Sequence, residues 1–181
     1  MSLLKRHPLV LAVVGIILVS SVAAVGANFL IQRMPISSAL RQLVGGRTVR
    51  VVGSAMSPTL KDGQIVVVDK TAYAHHSPQL GDIVLIVPPD AGSQLFIKRV
   101  IAIPGDRLRI TSGVVYINGR PISEPYLPEQ WIDNNSWPAT GQDQLVGPNE
   151  YFVMGDNRNH STDSRSFGFV PLASIRGRIT L

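Results

Sequence analysis

The chain has 181 residues, enough for one folded domain and an accessory segment. Its 17 lysines and arginines exceed its 12 acidic residues by five charges, but they are scattered, with no basic run that would mark a nucleic-acid arm. The absence of cysteine excludes a thiol nucleophile, a disulfide framework and thiolate metal sites; His7, His75, His76 and His160 lack metal-ligand spacing, so no metal or other cofactor is expected.

From Leu9 to Ile31 the chain is uncharged and dominated by Val, Leu, Ile, Ala and Gly, after Lys5 and Arg6. As a helix rising ~1.5 Å per residue this run reaches roughly 35 Å, enough for a ~30 Å hydrocarbon core. Val25-Gly26-Ala27 could pass for a cleavage site, but the length favours a permanent anchor over a removable leader or a buried core helix. Residues 1–31 are therefore read as an amino-terminal tip and transmembrane anchor. Arg33, Arg41, Arg47 and Arg50 follow the run, so a local charge count does not orient it. Residues 32–47, with Pro35, Gly45 and Gly46, read as a juxtamembrane connector.

Residues 48–181 carry a β pattern, which predicts a mainly antiparallel β domain with few helices. Short β-branched runs bounded by Gly, Pro and Asp occur at Val49–Gly53, Ile65–Val68, Ile83–Val87 and Phe96–Ile103. Val114–Ile117, then Asn118-Gly119 and Pro121-Ile122, is a hairpin signal. Tyr126–Gln144 is rich in Pro, Asn and Trp and reads as a loop; residues 107–147 together form a small hairpin and loop lobe. Tyr151–Met154 and Ile175–Ile179 close the domain.

Three segments carry chemistry: Gly53–Leu60 (G-S-A-M-S-P-T-L), Phe96–Asp106 (F-I-K-R-V-I-A-I-P-G-D) and Gly155–Pro171 (G-D-N-R-N-H-S-T-D-S-R-S-F-G-F-V-P). Lys98 sits in an apolar strand pattern. Periodicity alone makes it a solvent-facing lysine; a functional lysine there would be desolvated, its pKa pulled down from ~10.4 until the neutral amine could act as a general base. The Asp, Asn, Arg and Ser of the third segment suit a solvated loop equally well. Asp163 has two candidate ion-pair partners, Arg165 and Arg99.

In order and spacing the three segments resemble the bacterial type I signal peptidase (leader peptidase) family. Its pattern is Ser-Met-x-Pro-Thr, then Lys-Arg leading to Pro-Gly-Asp, then Gly-Asp-Asn-Arg-x-x-Ser-x-Asp-Ser-Arg-x-x-Gly-x-Val-Pro. The Gly-Asp-Ile-Val run from Gly81 is similar to the family's as well. The resemblance implies a membrane-bound serine endopeptidase with a Ser-Lys dyad. The nucleophile position is occupied by Ala55, Lys98 matches the general base, and Ser161 matches the serine that hydrogen-bonds the lysine amine. Asp163 and Arg165 match residues that shape the site, with Arg99 as ion-pair partner of the aspartate. The backbone N–H of residue 55 would supply an oxyanion donor. Gly53 stands where some relatives carry a serine hydroxyl as a second donor.

Ser54 is a weaker candidate nucleophile, because successive strand side chains face opposite ways, and Ser57 is weaker still. The implied partners are signal peptides of secretory preproteins, membrane lipid and, by encounter, the secretion translocon; nucleic acid is not among them. The peptide would bind extended, with small residues at positions −1 and −3 in shallow pockets walled by Val49, Val51, Gly53, Met56, Leu60, Phe96 and Ile97. The resemblance places the catalytic domain on the extracytoplasmic side of the plasma membrane, on a single-pass anchor. Because only the nucleophile departs from the pattern, the leading expectation is a scaffold whose serine was deliberately replaced. A natural pseudoprotease that binds signal peptides and a Ser-Lys peptidase dedicated to another substrate are the alternatives.

Overall fold

The computed structural model describes residues 47–89, 91–132, 137–138 and 141–181. The expected anchor and most of the connector lie outside these residues. Among the described residues no helix is long and apolar enough to cross a membrane.

Strands β1 (Arg47–Arg50), β2 (Ile65–Asp69), β3 (Ile83–Ile86), β4 (Phe96–Ala102), β9 (Glu150–Met154), β10 (Val170–Pro171) and β11 (Ile175–Thr180) form a seven-stranded sheet in the order β1-β2-β11-β3-β4-β9-β10. Every pairing in it is antiparallel. A second, four-stranded sheet joins β5 (Arg107–Thr111), β6 (Val114–Ile117), β7 (Arg120–Pro121) and β8 (Gln144–Leu145) in the order β7-β6-β5-β8. The mainly antiparallel β architecture is as the sequence predicts.

Period-two patterning explains most of these strands. In β2, Val66 and Val68 point into the core between more exposed neighbours. In β5, Leu108 and Ile110 point inward while Arg107 and Arg109 face out, an alternation present in the sequence although the strand is not among those predicted. The first strand lies at Arg47–Arg50 rather than Val49–Gly53. Val51 still exchanges backbone hydrogen bonds with Gln64 and Gly63, after which the chain leaves the sheet.

Three apolar clusters hold the domain together. One packs Val51, Met56 and Leu60 against Val66, Val68, Ile83, Leu85 and Ile179. A second, built on Val84, Ile86, Val100, Tyr151 and Val153, lies along the central strands. The third joins the two sheets through Leu108, Ile110, Val115, Trp131, Phe152 and Met154. Full burial of each large aliphatic side chain contributes about 1.5–3 kcal/mol.

β4 and β9 carry the site to the edge of the large sheet. β9 pairs with β4 only from Arg99 onward, through Arg99 opposite Met154. On that side, Phe96 to Lys98 have no strand partner, because the chain turns away at Gly155.

Candidate active site

The segment Gly53–Leu60 is a compact set of turns. Gly53 opens it at φ +83°, a left-handed conformation that suits glycine, and its N–H donates to Asp62 Oδ1 at 2.8 Å. Ser57 N–H donates to Ser54 O at 2.9 Å and Leu60 N–H to Met56 O at 2.8 Å. Met56 and Leu60 are driven into the core, which leaves Ser54 and Ala55 at the surface side of the turn.

The loop after β9 straps this turn down. Asn157 donates its N–H to Ala55 O at 3.0 Å and its Nδ2 to Ser54 O at 3.2 Å. Thr59 Oγ1 donates to Asp156. Gly155 is required by close approach: a Cβ there would collide with Ser161 Oγ and with Ala55 O. Ser161 is thus brought against the backbone of residue 55.

Lys98 is 3% exposed, so the solvent-facing alternative is wrong. Burial lowers its pKa to about 8; the charge of Asp163 opposes that shift, Arg165 reinforces it, and Asp156 opposes it again. Its Nζ lies 5.3 Å from the centroid of the Phe96 ring, two residues back on the same strand. Among the described residues the ammonium has no hydrogen bond and no ion pair. The expected bond with Ser161 is therefore not made, and Ser161 Oγ is buried without a partner.

The carboxylates that could neutralise Lys98 are committed elsewhere. Asp156, not Asp163, is the partner of Arg99: Nε and Nη2 reach its two oxygens at 2.8 and 2.7 Å. Arg99 and Lys98 are successive strand residues and project to opposite sides, which directs the guanidinium away from the lysine's neighbours. Asp163 pairs with Arg165 through Nε and Nη2, both at 2.8 Å, and accepts from Gly155 N–H at 3.0 Å. It also caps the short helix α1 (Ser164–Phe167) by accepting from Arg165 N–H. Arg165 donates onward to Arg158 O at 2.7 Å.

A groove of about 430 Å³ runs past these groups. Ala55 and Lys98 both line it, as do Val49, Val51, Gly53, Met56, Phe96 and Ile97. Leu60 does not: it is 0% exposed and belongs to the core, because the turn that exposes Ala55 points Leu60 inward. Ser161, Asp163, Arg165 and Arg99 stand behind the groove.

Residues 10–181 match the family described as Signal peptidase, peptidase S26. The chain belongs to this family. It is 42% identical over 137 residues to a probable signal peptidase I-1 of Synechocystis, covering 70% of this chain and 65% of the relative. Signal peptidase I U of Bacillus subtilis is 38% identical over 128 residues, covering 69% of this chain and 68% of the relative. A solved signal peptidase I from Enterococcus faecalis is 37% identical, with a TM-score of 0.47, covering 57% of this chain and 97% of that one. The chain spans 58 to 65% of the length of three curated peptidase relatives that it matches, the Synechocystis signal peptidase I-1 among them.

Within this member of the signal peptidase family, sequence reasoning missed Thr59, Asp156 and Asn157 as the groups that pin residue 55 in place. All three stand inside the quoted motifs, which was the available signal. It also missed Arg50, His160 and Thr162 as groove residues. His160 and Thr162 also stand inside the third quoted segment, whereas Arg50 lies outside all three and no sequence signal marks it.

Proposed function

We propose that this chain is the scaffold of a membrane-anchored Ser-Lys endopeptidase that binds the cleavage region of secretory signal peptides, and that this copy is inactive because Ala55 occupies the nucleophile position. The observation that carries this reading is the burial of Lys98 in the same groove as Ala55. A lysine lowered to about 8 supplies an appreciable fraction of neutral amine near neutral pH, as a general base requires. With a serine at position 55, the amine would take the hydroxyl proton as the oxygen attacks the scissile carbonyl, then return it to the leaving amine. The N–H of residue 55 would face the oxyanion, with its own carbonyl held by Asn157.

Two edges unpaired among the described residues favour an extended peptide: the outer side of β1 and the Phe96–Lys98 stretch beyond the end of β9. A substrate strand added there would place small side chains against Val49, Val51, Met56, Phe96 and Ile97. An anchor at Leu9–Ile31 would hold the groove beside the lipid surface, outside the cytoplasm, where a translocated signal peptide and the translocon meet it.

Restoring the hydroxyl tests the assignment. Ala55→Ser should raise cleavage of a preprotein by several orders of magnitude, up to ~10⁶-fold. Its rate should climb as pH rises through about 8 and level off above, because the neutral amine is the active form. Adding Lys98→Ala should abolish cleavage at every pH. A silent Ala55→Ser protein that still binds signal peptides would favour the pseudoprotease reading. Cleavage confined to one preprotein in a panel would favour a dedicated peptidase.

A further inference from the structure

We infer that the groove selects peptides with a carboxylate side chain beside the small residues it binds, and discriminates against lysine and arginine there. This preference rests on the peptide-binding reading above. Three basic side chains line the groove from separate segments: Arg50 from β1, Lys98 from β4 and His160 from the 3-10 turn Arg158–His160. Among the described residues no aspartate or glutamate lines it.

The carboxylates around the groove are engaged by other groups and do not line it. Asp156 and Asp163 are buried, the first taken up by Arg99 and Thr59 and the second by Arg165 and Gly155 N–H. Asp62 holds Gly53 N–H from outside the lining. Arg50 spends only Nη1, on Gly63 O at 3.0 Å. Its Nε and Nη2 have no acceptor among the described residues, so they remain available to a ligand. His160 is exposed, and its backbone N–H, not its ring, is bonded to Asn157 O.

A concave site with one sign of charge on its walls concentrates the opposite charge. Each contact with an exposed basic side chain is individually modest and screened by salt. The expected discrimination is therefore graded.

Because the chain carries Ala55, binding can be read without turnover. The full chain in detergent is titrated with fluorescent extended peptides that share an Ala-x-Ala core and carry Asp, Asn or Lys immediately after it. The Asp peptide should bind roughly two- to tenfold tighter than the Asn peptide, and the Lys peptide more weakly than either. Raising the salt concentration should narrow the spread. The double variant Arg50→Glu, His160→Glu should invert the order. Equal affinities for the three peptides, or an Asp preference that survives the double charge reversal, overturn the inference while leaving peptide binding intact. Failure of all three peptides to bind overturns the peptide-binding reading, and the preference falls with it.

Discussion

Lys98 shows how one side chain can be costly to the fold and useful to the site. The drop from 10.5 to about 8 corresponds to roughly 3 kcal/mol of penalty for the charged form at neutral pH. The sign follows from proton binding. Between about 8 and 10.5 the unfolded chain holds the proton that the folded chain has lost, so stability attributable to Lys98 rises with pH across that window. Lys98→Met should therefore stabilise the protein at pH 7 by about 2–3 kcal/mol, and the advantage should shrink by pH 10. Denaturant melts of both proteins at the two pH values measure it, and a constant gap would contradict the burial argument. At this scale the sequence was partly legible. The Ser-Met-x-Pro-Thr and Lys-Arg patterns picked out Ala55 and Lys98. The unpartnered Ser161 hydroxyl was not foreseeable, because motif spacing carries no information on side-chain distance.

The element that organises the site is the loop following β9, which bonds to the turn around residue 55 and to β4 at once. Asp156 is its pivot, gripping Arg99 with two hydrogen bonds and Thr59 with a third. Asp156→Asn would leave the mostly buried Arg99 guanidinium without its counter-charge. The expected cost is about 3 kcal/mol in global stability, together with weaker peptide binding as the turn loosens. A double-mutant cycle with Arg99→Met should recover much of that loss; a cycle showing no coupling would remove Asp156 from this role. The central strands were readable from their β-branched runs, and β5 was readable in principle from Leu108 and Ile110. The β6–β7 hairpin was readable from Asn118-Gly119; the two-residue strands β8 and β10 were not, since their pairing is set by neighbours in space. The choice of Asp156 over Asp163 by Arg99 is of the same kind: both aspartates lie in one loop, and only the folded path decides which meets β4.

At the level of the whole domain, the small sheet is tied to the site and does not merely decorate it. Trp131 packs in the cluster that joins the sheets, and the guanidinium groups of Arg158 and Arg165 lie 5.4 and 5.1 Å from its ring. Glu124, on the segment between β7 and β8, forms an ion pair with Arg158 in which both side chains are almost fully buried. Glu124→Gln should cost about 3–5 kcal/mol, because the arginine would stay buried and unpaired. An unchanged denaturant m-value would mean that the domain still unfolds as one unit, and a reduced one that the lobe has detached beforehand. The sequence marked residues 107–147 as a separate lobe. It did not show the attachment, because Glu124 and Arg158 are 34 positions apart and meet only through the fold.

The turn at residue 55 is held by Asn157, Thr59, Met56 and Leu60, and none of these contacts uses the side chain of residue 55 itself. Folding is therefore indifferent to whether that position carries a methyl or a hydroxymethyl group. Alanine and serine codons can differ by a single base, so the exchange that tests the proposed reading is also the smallest genetic change available at that position, and it need not pass through a misfolded form. The groups around position 55 are kept in place by the same packing that keeps the domain folded.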